Sequence, residues 1–331
     1  MKPSQVLNAL QYTAIEKRRP VFLWGPPGAG KSDVVAQLAE KLKIGLVDKR
    51  LSQSDPTELK GYPWPDQEKK IMSFFRDGEL PTKGRGILFL DEMNLAPQAT
   101  QNPAYQLILN RRLGEYVLPD GWAIIAAGNR STDRSGVHTM SAALSNRFVH
   151  IDFDPDVEDW VKWALSAGIS DGTRGYIRFR PANLYTDKIE PGTRAYPTPR
   201  TWAFADEIVN SGLPADVELE LLKGTVGEGV ALEYVGFLRE QKNLPDVDLI
   251  AVHPEKVPVP EAPSTCYAVL AALDSQLTLK NFGNVLKYVK RMPKEFEVMF
   301  MQATSRRDSG FDETEVMTEW MSENYKVLIG V

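Results

Sequence analysis

The chain has 331 residues, 43% hydrophobic and 25% charged, with a formal charge of −5; this balance excludes a disordered chain and argues against the basic footprint of a nucleic-acid binder. No apolar run approaches the roughly 20 residues that cross a bilayer, and the start MKPSQVLNAL lacks the basic-then-apolar layout of a secretory signal. A single cysteine (Cys266) excludes an intrachain disulfide framework and three scattered histidines offer no zinc spacing, so a soluble cytoplasmic protein is expected.

Val6, Leu7, Leu10 and Ile15 recur at helical spacing and predict a first helix over 4–18. PVFLW (20–24) reads as a short buried strand, GPPGAGKS as a loop, and the next helix runs to about Leu42. IGLVDKR (44–50) is a second strand and GILFL (86–90) a third, whose unbroken apolar run suits a parallel strand covered on both faces. A helix with Tyr105, Leu107, Ile108 and Leu109 follows, then strands at GWAIIAAGN (121–129) and FVHIDF (148–153). Strands alternating with helices predict a right-handed parallel sheet with ligands at its carboxyl edge.

Beyond Pro155 the pattern becomes helical. DVEDWVKWAL is a helix, 168–199 reads as an irregular Gly/Pro-rich stretch, and helices are expected at about 200–211, 214–225, 228–240, 264–276, 279–291, 294–305 and 312–327. The proline-rich stretch 243–264 reads as an extended connector. The expected organisation is an α/β domain, 1–154, followed by a helical C-terminal domain, 155–331.

The loop Gly25, Pro26, Pro27, Gly28, Ala29, Gly30, Lys31, Ser32 fits G-x-x-x-x-G-K-[ST], with Asp33 opening the helix behind it. Its glycines let backbone N–H groups turn inward around phosphate oxygens, and the helix N-terminus adds a favourable dipole. Lys31 reaches the outer phosphates of ATP and Ser32 offers its hydroxyl to Mg²⁺. ILFLDE (87–92) ends a buried strand on two acids: Asp91 to hold the metal and Glu92 to polarise the attacking water. Asn129, at the end of AIIAAGN, is placed to orient that water and sense the γ phosphate.

The series formed by the phosphate loop, LFLDEMN, AAGN, SNRF and TPRTW resembles an AAA+ ATPase, most of all the MoxR type and its relatives; DPTELKGY (55–62) is similar to that group's local signatures. The likeness covers about residues 5–205. It implies a P-loop NTPase core with a five-stranded parallel sheet and a helical lid, assembled as a ring, with six subunits the family's number. It also implies that Arg147, of NRF, lies at the subunit boundary and completes the neighbour's site, where a permanently charged, forked guanidinium suits phosphate oxygens. Arg200, of PTPRTW, is similar to the family's second sensor. Arg111 and Arg112 are reserve candidates for the same boundary. The client implied is a protein, in some relatives one carrying a von Willebrand factor A domain.

Two stretches are candidates for contact with a client. Residues 61–83 form an insertion before the third strand with Tyr62, Trp64, Phe74 and Phe75 among polar neighbours; they form either a self-packed flap or, by the resemblance, an insertion projecting toward the ring axis. LGEYVLPDGW (113–122) has the alternation and Pro-Asp-Gly turn of a hairpin. AGNRSTDRSGVH departs from the Asn-Pro continuation of MoxR relatives, and Asp133 and Arg134 either pair locally or contact a neighbour. A DNA-associated motor or loader is the rival reading, and a nucleotide-gated scaffold with negligible turnover is the third.

Overall fold

The structure is a computed structural model that describes every residue except 76, 131–139, 187–188, 190–191, 242–243, 308–309 and 325–331. Asp133 and Arg134 lie outside the described residues. The chain divides into two compact units, Met1–Asp156 and Val157–Val331.

The first unit opens with α1 (Pro3–Leu10), continued as a π-helical stretch over Gln11–Glu16, and then β1 (Val21–Trp24), α2 (Lys31–Leu42) and β2 (Gly45–Arg50). A short helix α3 (Pro56–Lys60) is capped by Asp55, whose carboxylate accepts from the Thr57 N–H at 2.8 Å. It leads into an antiparallel hairpin, β3 (Tyr62–Asp66) and β4 (Ile71–Phe75), then β5 (Gly86–Asp91) and α4 (Gln98–Asn110). A second hairpin, β6 (Arg112–Leu113) and β7 (Tyr116–Val117), precedes β8 (Trp122–Gly128), α5 (Ala142–Ser145) and β9 (Val149–Asp152).

Five strands form one parallel sheet in the order β2-β5-β8-β1-β9. β5 and β8 are buried along their whole length, which is why they read as unbroken apolar runs. Alternate residues serve opposite faces: Phe22, Leu88, Leu90, Ile124 and Ala126 enter one core, Leu23, Ile87, Phe89, Ile125 and Ile151 the other. The register sets Trp24 beside Gly128 and Asp152, and Asp91 beside Arg50, so the loops after β1, β5 and β8 emerge along one edge.

The second hairpin departs from expectation. Its turn is Gly114–Glu115, with Gly114 at φ +56°, whereas Pro119-Asp120-Gly121 makes a separate turn into β8, closed by the Trp122 N–H on the Pro119 carbonyl at 3.0 Å. A two-residue loop with glycine at its first position matches strand twist without strain, which the Pro-Asp-Gly run concealed.

The second unit is helical: α6 (Val157–Ser166), α7 (Asp171–Phe179), α8 (Pro199–Val209), α9 (Ala215–Val226), α10 (Glu228–Gln241), α11 (Val247–Val252), α12 (Pro263–Gln276), α13 (Phe282–Val289), α14 (Lys294–Ser305) and α15 (Glu315–Glu323). Two corrections arise here. The stretch 168–199 is not irregular throughout, because α7 is a buried helix within it. Its two arginines are buried through ion pairs: Arg174 reaches Asp171 at 2.6 Å and Asp274 at 3.2 Å, and Arg178 reaches Glu158 at 3.2 Å. Gly175 lets α7 approach α12, since a Cβ there would stand 3.2 Å from the Ala271 Cβ. The presumed connector 243–264 also contains a helix, α11, started by Asp246 capping the Leu249 N–H at 3.1 Å. α12 is the axis of this unit, sending Val269, Leu270 and Leu273 into one core and Ala268 into another. No helix among the described residues is long and apolar enough to cross a membrane.

Candidate functional site

β1 ends at Trp24 and the chain turns through Gly25–Gly30 into α2. Gly28 and Gly30 hold φ of +73° and +100°, a region that glycine enters freely, so the loop curls back over the α2 N-terminus. Pro26 and Pro27 stiffen this curve but carry no N–H, so the backbone donors toward an anion come from Gly28, Ala29, Gly30, Lys31 and Ser32. Asp33 is exposed in the first turn of α2.

Lys31 is buried, 8% exposed, and its ammonium lies inside the loop. It donates to the Gly25 carbonyl at 2.6 Å, the Pro26 carbonyl at 2.9 Å and Asn129 Oδ1 at 3.2 Å. The lysine that opens α2 and the asparagine just past β8 therefore already touch. Ser32 Oγ donates to Asp91 Oδ2 at 2.8 Å, bringing together a hydroxyl and a carboxylate. That donor pair suits Mg²⁺, an oxygen-seeking ion that keeps most of its waters and needs few protein ligands. Phosphate loop, Lys31 and the Ser32–Asp91 pair thus fit a magnesium nucleotide. Among the described residues no cluster of three or more His, Cys, Asp or Glu forms a metal centre.

Glu92 stands at φ +53°, in the left-handed region where a non-glycine residue is strained. Its N–H is accepted by Asp91 Oδ1 at 2.8 Å, and the Ser52 hydroxyl, just past β2, donates to its Oε2. The chain bends sharply here and separates the two carboxylates: Asp91 faces Ser32 while Glu92 is held by Ser52. Asp48, on β2, adds a third acid nearby. Although the residue is exposed on the edge strand, its carboxyl is pushed above the ordinary range, first by partial desolvation and next by Asp91; Arg50 opposes the shift and Glu92 adds to it.

Asn94, within LFLDEMN, belongs to the site although the motif alone gives it no role. Its amide Nδ2 donates to the Asn129 carbonyl at 2.7 Å and its Oδ1 accepts the Asn129 N–H at 3.1 Å. One side chain thus acts as a further strand beside the end of β8. Gly128 makes room for it, since a Cβ there would stand 2.2 Å from Asn94 Oδ1. The only sequence signal was an asparagine beside the acids on a segment expected to turn.

Lys49 belongs to no motif either. It is buried on β2 and its ammonium is paired with Asp77 and Glu79, which follow the β3–β4 hairpin. The hairpin itself is not a self-packed flap: Tyr62 is 64% exposed, Trp64 55% and Phe75 62%, with one ring contact among the described residues, Trp64 to Phe75, at 5.7 Å.

Arg147 is exposed in the turn between α5 and β9, its N–H bonded to the Leu144 carbonyl at 2.9 Å; its guanidinium has no partner among the described residues. Arg111 behaves otherwise. It donates to the Pro119 and Trp122 carbonyls at 2.9 and 2.7 Å and so pins the turn before β8, while Arg112 is exposed on β6. Arg200 is exposed in the first turn of α8, whose start is capped by Thr198.

Residues 20–148 match the family model described as an AAA domain of the dynein-related subfamily. Among curated proteins, the chain is 31% identical over 182 residues to midasin of Giardia intestinalis, covering 51% of this chain and 4% of that protein. It is 26% identical over 168 residues to midasin of Dictyostelium discoideum, covering 46% and 3%. The chain therefore spans a small fraction of the length of these relatives. Among solved structures it is similar to the RuvB Holliday junction branch migration motor of Thermotoga maritima, at 17% identity and a TM-score of 0.41 over 87% of each chain.

Proposed function

With an AAA+ ATPase domain as its α/β unit, the chain is, we propose, a ring-forming motor that couples ATP hydrolysis to remodelling of a partner protein, in the manner of MoxR-like ATPases. In this reading the loop N–H groups and Lys31 bind the phosphates, Ser32 and Asp91 hold Mg²⁺, and Glu92 takes a proton from the attacking water. Mg²⁺, when bound, supplies charge neutralisation at the phosphates. Asn129, whose Oδ1 accepts from Lys31, has its amide N–H₂ left to orient the water. Arg147 acts on the neighbouring subunit's nucleotide and Arg200 senses the nucleotide of its own.

The observation that carries the remodelling step is the β3–β4 hairpin. Six large apolar side chains (Tyr62, Trp64, Ile71, Met72, Phe74 and Phe75) are each at least 44% exposed on it. Exposed apolar surface so concentrated marks a contact with another protein. Lys49 ties the chain just beyond the hairpin to β2, the strand paired with the one that ends at Asp91. Strain at the acids therefore has a short path to the aromatic surface.

The test is affinity capture from lysate with Glu92→Gln protein held in ATP, run in parallel with the same variant carrying Trp64→Ser and Phe75→Ser. A protein client that the first retains and the second loses is the expected result, and a von Willebrand factor A domain protein is the first identity to check. Recovery of nucleic acid, unaffected by the hairpin changes, would overturn the reading in favour of a DNA-associated motor.

A further inference from the structure

His150 is exposed on the edge strand β9, yet both of its ring nitrogens are engaged. Nδ1 accepts the Trp24 indole N–H at 2.8 Å, and Nε2 lies 2.8 Å from the Ser145 carbonyl oxygen and 3.2 Å from the Ser145 hydroxyl. These partners fix the tautomer. An indole N–H only donates and a carbonyl only accepts, so Nδ1 is bare and Nε2–H donates to Ser145. The imidazole is also stacked on the Trp24 ring, with centroids 5.9 Å apart and planes at 24°.

The two partners stand at different places in the α/β unit. Trp24 ends β1 and is followed by Gly25, where the phosphate loop begins. Ser145 ends α5 and is followed by the turn 146–148, which carries Arg147. The turn's own backbone bonds, from the Arg147 N–H to the Leu144 carbonyl and from the Phe148 N–H to the Ser145 carbonyl, set its shape. Its far side is fixed to the sheet where the Val149 N–H meets the Pro20 carbonyl at 2.9 Å. Its near side is fixed by His150, which joins the end of α5 to a residue 126 positions before the histidine. Arg147 thus sits between two anchored points. A single hydrogen bond at an exposed place adds little to stability, so the effect of this bridge is on position.

We propose that His150 is a positioning residue for Arg147: it holds the end of α5 against Trp24, so that the turn offers its guanidinium to the neighbouring subunit from a fixed base. This rests on the trans reading of Arg147 given above. An arginine that must meet phosphate oxygens across a subunit boundary depends on such a base, because a misplacement of about 1 Å costs about 10²-fold in rate.

The test mixes two full-length chains and asks which of them needs the histidine. A pocket chain with Arg147→Ala requires an arginine from its neighbour; a donor chain with Lys31→Ala supplies one and has a dead pocket of its own. Subunit exchange is verified for every pair with fluorescently labelled chains. His150→Phe keeps an aromatic ring over Trp24 and loses both hydrogen bonds. On the donor chain it should lower the recovered ATP hydrolysis about tenfold, part of the full cost of a misplaced group. On the pocket chain it should leave both the recovery and the ATP affinity unchanged. Trp24→Phe on the donor chain should act in the same direction, and with that pocket already dead its effect does not run through ATP binding there. His150→Asn, whose amide oxygen takes the place of Nδ1, should keep more of the recovery than His150→Phe. Equal recovery with and without His150→Phe on the donor chain overturns the proposal. So does a loss of the same size from either chain, which a general support of the fold would give. If the parent pair exchanges subunits and recovers nothing, the trans reading of Arg147 fails and the proposal falls with it.

Discussion

Asn94 pairs with the backbone of Asn129 on both sides of its amide, donating at 2.7 Å and accepting at 3.1 Å. Both residues are buried, at 3% and 7% exposure. The acid-bearing turn after β5 is thereby fastened to the end of β8, and Asn129 in turn touches Lys31.

Removing that fastening should harm hydrolysis more than binding. Asn94→Ala orphans a buried N–H and a buried C=O, each worth about 1–3 kcal/mol when unsatisfied. Asn94→Asp keeps the acceptor but faces the Asn129 carbonyl with a second oxygen, so it should be at least as damaging. ATP affinity, set mainly by the loop and Lys31, should stay within about threefold while turnover falls at least about tenfold, the low end of what misplacing a catalytic group costs. Isothermal titration beside phosphate release measures the split. A drop in affinity as large as that in turnover would make Asn94 a general support of the fold.

Glu92→Gln should bind ATP normally and hydrolyse it at least about 10²-fold more slowly, as expected for losing a general base. Glutamine is isosteric and its Oε1 still accepts the Ser52 hydroxyl bond, so the strained turn is undisturbed. Unchanged turnover in this variant removes Glu92 from the mechanism.

Asp48 gives a pH-dependent outcome. Its carboxyl is raised in the folded state, first by partial desolvation and then by Asp91. Its contribution to stability is therefore fully present below the ordinary carboxylate range and is lost as pH rises through the raised value. Ionised Asp48 is a cost at neutral pH. Asp48→Asn should raise the Tm of the nucleotide-free, EDTA-treated protein at pH 7, and the gain should shrink as pH falls and vanish below the carboxylate range. A constant difference between pH 4 and 7 would contradict the shift.

The parts that were legible in the sequence are those whose cause is local. The phosphate loop follows from spacing, and the strands ending at Asp91 and Gly128 follow from apolar runs that parallel pairing buries on both faces. What stayed hidden depends on partners far along the chain. The Asn94–Asn129 pair spans 35 positions. α7 carries Gly172, Gly175, Arg174 and Arg178 where a periodic apolar face would have announced it, and Asp274, 100 positions after Arg174, is what allows that arginine to be buried. Lys49 reads as an exposed strand residue until Asp77 and Glu79 return to it from beyond the hairpin.

In the proposed ring, Arg147 is the residue on which assembly and chemistry meet. It is exposed and its guanidinium has no partner among the described residues, the state expected of a cation that serves another subunit. Arg147→Ala should bind ATP nearly as well as the unaltered protein, because its own loop, Lys31 and the Ser32–Asp91 pair are intact. Hydrolysis should nonetheless fall steeply, since an arginine supplied in trans is worth about 10³–10⁵ in rate. A head-to-tail contact of this kind closes a ring when its rotation permits, so specific activity should also rise with protein concentration. Mixing decides between trans and cis. Lys31→Ala has a good Arg147 and a dead pocket; Arg147→Ala has the reverse. Where the two meet in the right order, one working site forms, and activity absent from either alone should return. Subunit exchange is verified beforehand with fluorescently labelled chains. Exchange without recovery at any ratio would leave Arg147 a turn residue that acts, if at all, within its own subunit.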